Sequence, residues 1–562
     1  MDQRARDVLR ICERQFSSKK HIDSLMQEIA LNFYPERADF TYNRVEGEEF
    51  ADHLFSSYPV MARRELGNLL SANLRPRSTK WFSVHVDDED LDERDAERKF
   101  LEKLRDIQWR ATYDRQAQFV RATKEADHDF AAFGNAVIHV SLNVAGDGLL
   151  FRSYHLRDCA WSENAEGKID VMFRKWKPTA RQLKHHFGEN VSANVKKACD
   201  PAGGAYDPEK TFECRHIVLP SRIYQYKSRT GKEFPYVSLY VECAAEHVLE
   251  EVGLNHFPYV VPRWQTVSGS AYGVSMATMI LLPDGRTLQV VMRTLREAGE
   301  NYVNPPLIAV GDAIRSDIAL YPGGITTVDM EYDERLGEVL RPITKDRSGF
   351  PIGESIAAAL REDIRAGFFL DKIQLPEIPH QMTAFEVRRR LEEHIRSSSP
   401  IFEPVIEQYN DPLCDTVFQI LTEAGAFPLH EMPETLADKE IKFKFRSPLA
   451  DLADQAEAEA YIETRDRILG PAMQVDPAQA EQVDFTRATR DAMRASGWKA
   501  KWFKPVEAVD QARAQMQQQQ EAQQVVDEIA QGGAVAEQAG KGLDALLKAG
   551  QPARPNGAAA AR

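Results

Sequence analysis

Two stretches of helical periodicity, 284–303 and 352–370, carry one narrow apolar stripe each, with a proline- and glycine-bounded insertion between them. Leu288, Val291, Leu295 and Tyr302 recur at spacings of three, four and seven; Ile356, Leu360, Ile364 and Phe368 recur every four. Such spacing gives a stripe along one side of a helix. Pro283-Asp284 predicts the start of the first helix, and Asn304-Pro305-Pro306 stops it, because proline has no N–H to donate and clashes with the preceding turn. Leu307–Gly311 and Tyr321–Val328, the latter holding Gly323-Gly324, predict short strands, and helix resumes near Ile352. Two such helices close a core poorly by themselves. Each stripe needs a further apolar surface to bury it.

The rest of the 562-residue chain is long enough for three or four structural units. Residues 1–134 read as helical: Leu54, Tyr58, Met61, Leu66, Leu69 and Leu70 give a helix that ends before Pro76, and a second long helix is predicted from about Ala96 to Gly134. From 135 to 262 the period shortens. Ala136–Val140, Gly148–Phe151, Asp170–Trp176, Phe212–Leu219, Arg222–Lys227 and Tyr236–Glu242 read as strands, with a short helix opened by Pro178-Thr179-Ala180 and closed at Phe187-Gly188. The fold class is therefore α+β, an antiparallel β unit inside a helical protein. Thr383 and Glu386 have capping-box spacing at the head of a long helix to Gly425 that Pro400, Pro404 and Pro412 must kink. The end of the chain is low in complexity, with a glutamine run at 517–520, and 551–562 is expected to be disordered.

Composition excludes several classes. Net charge is −15, which argues against tight capture of nucleic acid by phosphate neutralisation but not against loose enclosure of it. The run Asp87–Glu97 reads as a solvated acidic face. Cys12, Cys159, Cys199, Cys214, Cys243 and Cys414 include no pair at zinc-knuckle or redox spacing and suit a reducing cytoplasm. The charged N-terminus argues against a secretory leader, and apolar runs such as Met279–Leu282 are too short to cross a bilayer, so no membrane is expected.

Catalytic motifs fail on inspection. Around Gly540-Lys541-Gly542, Val535 stands where a phosphate loop needs its first glycine, and Gly542 replaces the magnesium-binding Ser/Thr. His185 and His186 point roughly 100° apart on a helix and share no ligand face. His155-Leu156-Arg157-Asp158 lacks the asparagine of a kinase loop, having Glu163 there, and Gly269–Gly273 places its serine one position early for a nucleophile elbow. No enzyme and no cofactor are expected.

Several segments, in order and spacing, resemble the portal or head-to-tail connector proteins of short-tailed bacteriophages. They are LNFYPERADFTYNRVEGEEF (31–50), LFSSYPVMARRELGNLLSANLRPRSTKWF (54–82), EGKIDVMFRKWKPTARQLKHHFGE (166–189), SAYGVSMATMILLPDGRTLQVVMRTLREAGENYVNPPLIAVGD (270–312), YPGGITTV (321–328) and MTAFEVRRRLEEHIRSSSPIFEPVIEQYNDPLCDTVFQILTEAGAFP (382–428). Phe385 stands where the family often has threonine, and Ser397–Pro400 interrupts the long helix.

The resemblance implies a portal fold and a homododecamer around a channel for double-stranded DNA, set at one capsid vertex of the virion. Its implied partners are the major capsid and scaffolding proteins, the terminase motor, and tail adaptor and tail proteins. It implies a wing (1–270), stem helices (271–303 and 352–370), and a clip (304–351) with turns at Pro305, Pro306, Gly323 and Gly324. It further implies a channel loop (371–382), a long kinked wing helix (383–428), a crown (429–505) and a barrel-like helix (506–550). Lys372, Gln374, His380 and Gln381 are the expected DNA-facing residues. Leu288, Val291, Leu295, Ile356, Leu360 and Ile364 are the expected contacts between subunits. The alternatives are a cytoplasmic nuclease or hydrolase with its site in the β unit, and a helical scaffold or chaperone.

Overall fold

The computed structural model describes residues 3–303 except 46, 49–50, 78, 87–94, 202 and 225–231, then 307–309, 340–342, 349–373, 403–445 except 438, 461–475 and 483–496, with scattered residues between and beyond. Helices α1 (Gln3–Ser18), α2 (Lys20–Phe33) and α3 (Tyr58–Leu74) lead into strand β1 (Phe82–Val86). In α1, Ala5, Val8 and Cys12 recur at helical spacing and bury against the five-stranded sheet described below. At the α1–α2 junction the wholly buried Lys19 donates from Nζ to the carbonyls of Leu156 and, at 2.8 Å, Cys159, and pairs with Asp23 at 3.1 Å.

The expected helix over 96–134 is instead two, α4 (Asp95–Thr112) and α5 (Phe119–Phe133). The break has a local cause. Asp114 accepts from Gln116 N through its side chain at 2.8 Å and from Ala117 N through its carbonyl, an Asx-type turn. Ala117 O then accepts from Phe151 N at 2.9 Å, which a continuous helix would forbid.

Residues 138–260 hold two antiparallel sheets. Strands β2 (Ile138–Leu142), β3 (Leu149–Ser153) and β9 (Tyr259–Val260) pair in the order β3-β2-β9. Strands β4 (Cys159–Glu163), β5 (Ile169–Trp176), β6 (Cys214–Pro220), β7 (Tyr236–Glu242) and β8 (His247–Leu254) follow in sequence order. Period-two alternation on β7 sends Val237, Leu239 and Val241 to the face under α1. The opposite face carries α6 (Ala180–Phe187) and α7 (Ala193–Cys199), and Thr179 and Gln182 close a complete capping box at α6. Arg222–Lys227 is not a strand as far as it is described: Ser221–Tyr224 is a helical turn. Strand β4 escapes the sequence reading because its first three residues are all buried and do not alternate, and β8 because a β-bulge at Leu249, opposite Tyr240/Val241, disturbs its alternation.

Two long helices, α8 (Thr278–Val303) and α9 (Gly349–Gly367), pack side by side, with β10 (Leu307–Ala309) and β11 (Leu340–Pro342) pairing antiparallel between them in sequence. A π-helical turn at Ile406–Asn410 runs directly into α10 (Asp411–Glu423), so the kink expected from Pro404 and Pro412 falls between those prolines. Thr383, Glu386 and Pro400 lie outside the described residues, as do 551–562. Strand β12 (Ile441–Phe445), expected within a C-terminal crown, pairs with β1 from Phe82↔Phe445 to Val86↔Ile441. Trp81, Phe82, Trp109, Phe443 and Phe445 form one aromatic cluster over that pairing.

Candidate functional site: a helical hairpin and its base

The α8–α9 pair is the feature the sequence singles out most strongly. At 1.5 Å per residue, the 26 residues of α8 span about 39 Å. Helix α8 begins at Thr278, with Pro283 inside it rather than at its start. The true start is fixed by buried hydrogen bonds: Ser275 Oγ accepts from Thr278 N at 3.3 Å, and Thr278 Oγ1 donates to Ala132 O at 2.6 Å.

The base of the hairpin is locked to the end of α5. Asn135 Nδ2 donates to Phe133 O at 3.0 Å and Gly273 O at 2.7 Å, while its Oδ1 accepts from Gly273 N at 2.8 Å. Ser275 Oγ donates to Ala131 O at 2.9 Å. Gly134 caps α5 with φ of +68°, and a side chain there would run into the backbone of Val274 and Ser275. The SAYGVS segment is thus a backbone clamp, not a displaced nucleophile elbow.

The stripes meet each other inside one chain. Leu288 and Ile364 are both fully buried in the main core, and Val291, Leu295 and Leu360 pack against it. The helices run antiparallel, with Leu281 against Gly367 and Leu295 against Gly353. Arg361 Nη2 donates to Met292 Sδ at 3.3 Å between those contacts. Leu288 and Ile364, expected at contacts between subunits, are thus already buried within the one chain. Ile356 does stay exposed, at 46%, and the outward face also shows Ile280 at 72% and Val290.

Of the expected DNA-facing residues, Lys372 is described and exposed, on a helical turn at Leu370–Ile373. Its Nζ lies 5.8 Å from the Phe369 ring centroid, and Arg365 Nε donates to Asp371 Oδ1 at 2.7 Å beside it. Phe369 has φ of +56°, a strained conformation for a bulky residue, and its ring packs on Trp264 at 6.3 Å. Gln374, His380 and Gln381 lie outside the described residues, as do Pro305, Pro306, Gly323 and Gly324.

A second buried constellation went unseen in the sequence. Arg75, at the end of α3, pairs with Asp127 of α5, donates from Nη1 to Asn410 Oδ1 at 2.8 Å, and stacks 4.3 Å over the Tyr409 ring. Burial pushes the Asp127 carboxyl up, against the pull of Arg75. The network ties α3, α5 and the π-turn together. The only sequence hint was an arginine at a helix end, a place where most arginines are solvated.

The β unit holds a hydroxyl–imidazole–phenol chain. His216 Nε2 meets Ser238 Oγ at 2.9 Å and its Nδ1 meets Tyr259 OH, with the imidazole stacked on Tyr240 at 4.1 Å. Burial holds His216 well below its ordinary value and pushes neighbouring His139 down to about 3, so both imidazoles are neutral. His216 and Ser238 are both buried, so the chain of contacts links β6, β7 and β9 from within. Among the described residues no group of three or more His, Cys, Asp or Glu could hold a metal ion, and no helix is long and apolar enough to cross a membrane.

Comparison with known proteins places these features in one context. The chain is 25% identical over 462 residues to a "Probable portal protein" of Bordetella phage BPP-1, covering 80% of this chain and 79% of that one. It is 24% identical over 382 residues to the "Portal protein" of Salmonella phage epsilon15, covering 66% of each. A chain from the virion of a native gene transfer agent particle aligns at 9% identity over 74% of this chain and 86% of its own, with a TM-score of 0.31, too low to bear on the fold. The family described as "Bacteriophage head to tail connecting protein" matches residues 6–503, a span that holds the hairpin, its clamp, both sheets and the buried arginine network, and the chain belongs to that family.

Proposed function

We propose that this connecting protein is a portal: twelve copies form a ring at one capsid vertex, and double-stranded DNA passes through its channel during packaging and ejection. The observation that carries this is the alignment with two phage portal proteins, the longer over 462 residues. The hairpin supports it physically. Its inner stripes are used within the chain, while Ile280, Val290 and Ile356 remain as outward apolar contacts for the next subunit. In this arrangement α8 and α9 form the stem, and residues 304–348, whose ends β10 and β11 bring together, form the clip that meets the terminase motor and later the tail adaptor. Residues 371–382 face DNA. The wing comprises 1–270 and 383–428, and the pairing of β12 with β1 supports counting 441–445 with it. The outer face of the ring meets capsid and scaffolding proteins.

The hydrolase alternative needs an open site in the β unit, and the serine–histidine pair found among its described residues is buried. Native mass spectrometry and negative-stain imaging test the proposal. A ring of about 760 kDa, twelve times the 63.6 kDa chain, is the expected species. Monomers or dimers alone at every concentration, with no central hole in any particle, would sink it.

A further inference from the structure

A cleft of about 270 Å³ lies between the end of α3 and the start of α5, away from the hairpin. Ser71, Arg75 and Arg77 line one side, and Val120, Thr123 and Lys124 the other. Three of its eleven lining residues are cationic and none is acidic, in a chain whose net charge is −15. Arg77 and Lys124 are exposed and form no ion pair among the described residues. Both Arg75 and Arg77 act electrostatically on the Tyr113 hydroxyl at the same cleft.

Two further features point to an anion. Helix α5 is 15 residues long and starts here without a side-chain cap: Gln118 at its N-cap has φ of +55° and makes no capping bond. The first turn contains no acid, so the positive end of the helix dipole is uncompensated. Arg75 has only 2% of its side chain exposed and keeps Nε without a hydrogen-bond partner, although its Nη atoms serve Asp127 and Asn410. A buried, unmet guanidinium donor is costly to leave so.

We infer that this cleft is a binding site for a phosphate-class oxyanion. Arg75, Arg77 and Lys124 line the same cleft as Phe119 and Val120 of the first turn of α5, so cationic side chains and a helix N-terminus share one space. A tetrahedral anion with oxygens on all sides can answer them, whereas a carboxylate offers two oxygens in one plane. The same chemistry could arrive as free inorganic phosphate or as the phosphodiester of a nucleic acid strand.

The test uses the full-length protein. Thermal unfolding in phosphate is compared with chloride at equal ionic strength, and inorganic phosphate is titrated calorimetrically. Phosphate should raise the unfolding midpoint beyond chloride. Arg77→Ala with Lys124→Ala should weaken phosphate binding by about tenfold or more while leaving the midpoint in chloride unchanged. Val120→Asp, which sets a carboxylate at the helix start, should abolish the phosphate response without loss of stability. A short DNA duplex supplies the second arm. Duplex binding that phosphate displaces and the double substitution removes identifies the phosphodiester as the source; phosphate binding without duplex binding identifies the free anion. Equal midpoints in phosphate and chloride, a stronger response to succinate than to phosphate, or an undiminished phosphate response in both variants overturns the inference.

Discussion

Leu295 lies so close to Gly353 across the hairpin that a Cβ on the glycine would sit 2.7 Å from Leu295 Cδ2. The same close approach recurs at Leu281 and Gly367, at 2.6 Å. Glycine here provides space, not an unusual backbone angle. Gly353→Ala should therefore cost about 1–2 kcal/mol through overpacking, and adding Leu295→Ala should make the pair less than additive by about 0.5–1 kcal/mol. A double-mutant cycle in urea measures this. Strict additivity would mean the two residues do not touch.

Arg75 and Asp127 bury each other's charge, so removing one partner should hurt more than removing both. Arg75→Met alone should cost about 3–5 kcal/mol, by leaving the carboxylate uncompensated. Arg75→Met combined with Asp127→Leu should recover much of that loss. Equilibrium denaturation decides it: a double variant less stable than the single one contradicts the pairing.

The two faces of α8 should respond oppositely to an acid. Leu288→Asp places a charge in the chain's own core and should yield little folded protein, at a cost of several kcal/mol. Val290→Asp lies on the outward face and should keep the far-ultraviolet circular dichroism of the parent while preventing ring closure. Light scattering coupled to gel filtration reads the outcome. Rings of unaltered mass from Val290→Asp would place the subunit contact elsewhere.

Asp411 follows the π-turn, and burial first, then Asp415 and Glu407, push its carboxyl up to about 6. An acid raised above its unfolded value near 3.9 holds its proton longer in the folded state. Stability is therefore full below about pH 4 and is lost as pH rises through about 6. The group is partly exposed, so solvent screening limits the effect to roughly 1 kcal/mol or less. Asp411→Asn should raise the unfolding midpoint at neutral pH and leave it unchanged near pH 4. An equal effect at both pH values would point to a packing change instead.

Lys372 is exposed at the start of the 371–382 segment, beside an Arg365–Asp371 pair that already neutralises its neighbours. Among the described residues of that segment Lys372 is the one cation without an ion pair, which suits the proposed contact past which DNA slides, since each firmly neutralised phosphate adds salt-dependent grip. Lys372→Ala with His380→Ala should leave ring assembly intact and alter packaging yield or DNA retention. Nanomolar, sequence-selective duplex binding by the unaltered ring would rule out a passive channel.

Much of this protein is written in local chemistry. Pro178-Thr179-Ala180 opens a short helix as expected, and the capping box of Thr179 and Gln182 that starts it needs nothing from afar. The alternation of Tyr236–Glu242 fixes a strand to the residue, and the spacing of Leu288, Leu295, Leu360 and Ile364 fixes two helices and their apolar faces. Order and spacing of such segments also carry the resemblance to the connector family, now matched over residues 6–503. All of these depend on residues within a few positions of one another.

What an apolar stripe faces is not local. Leu288 and Ile364 bury against their own chain because the insertion brings α9 back antiparallel to α8, a consequence of chain path that no periodicity encodes. Likewise Phe82 finds Phe445, and Arg75 finds Asp127 and Asn410, only after the helices and sheets between them have packed. The break at Asp114 had a sequence signal, but a single aspartate between two good helices outweighs helical propensity only when Phe151 offers its N–H to Ala117 O. Period and capping are set by neighbouring residues; partner and orientation are set by which distant surfaces bury the most apolar area and leave the fewest buried polar groups unpaired.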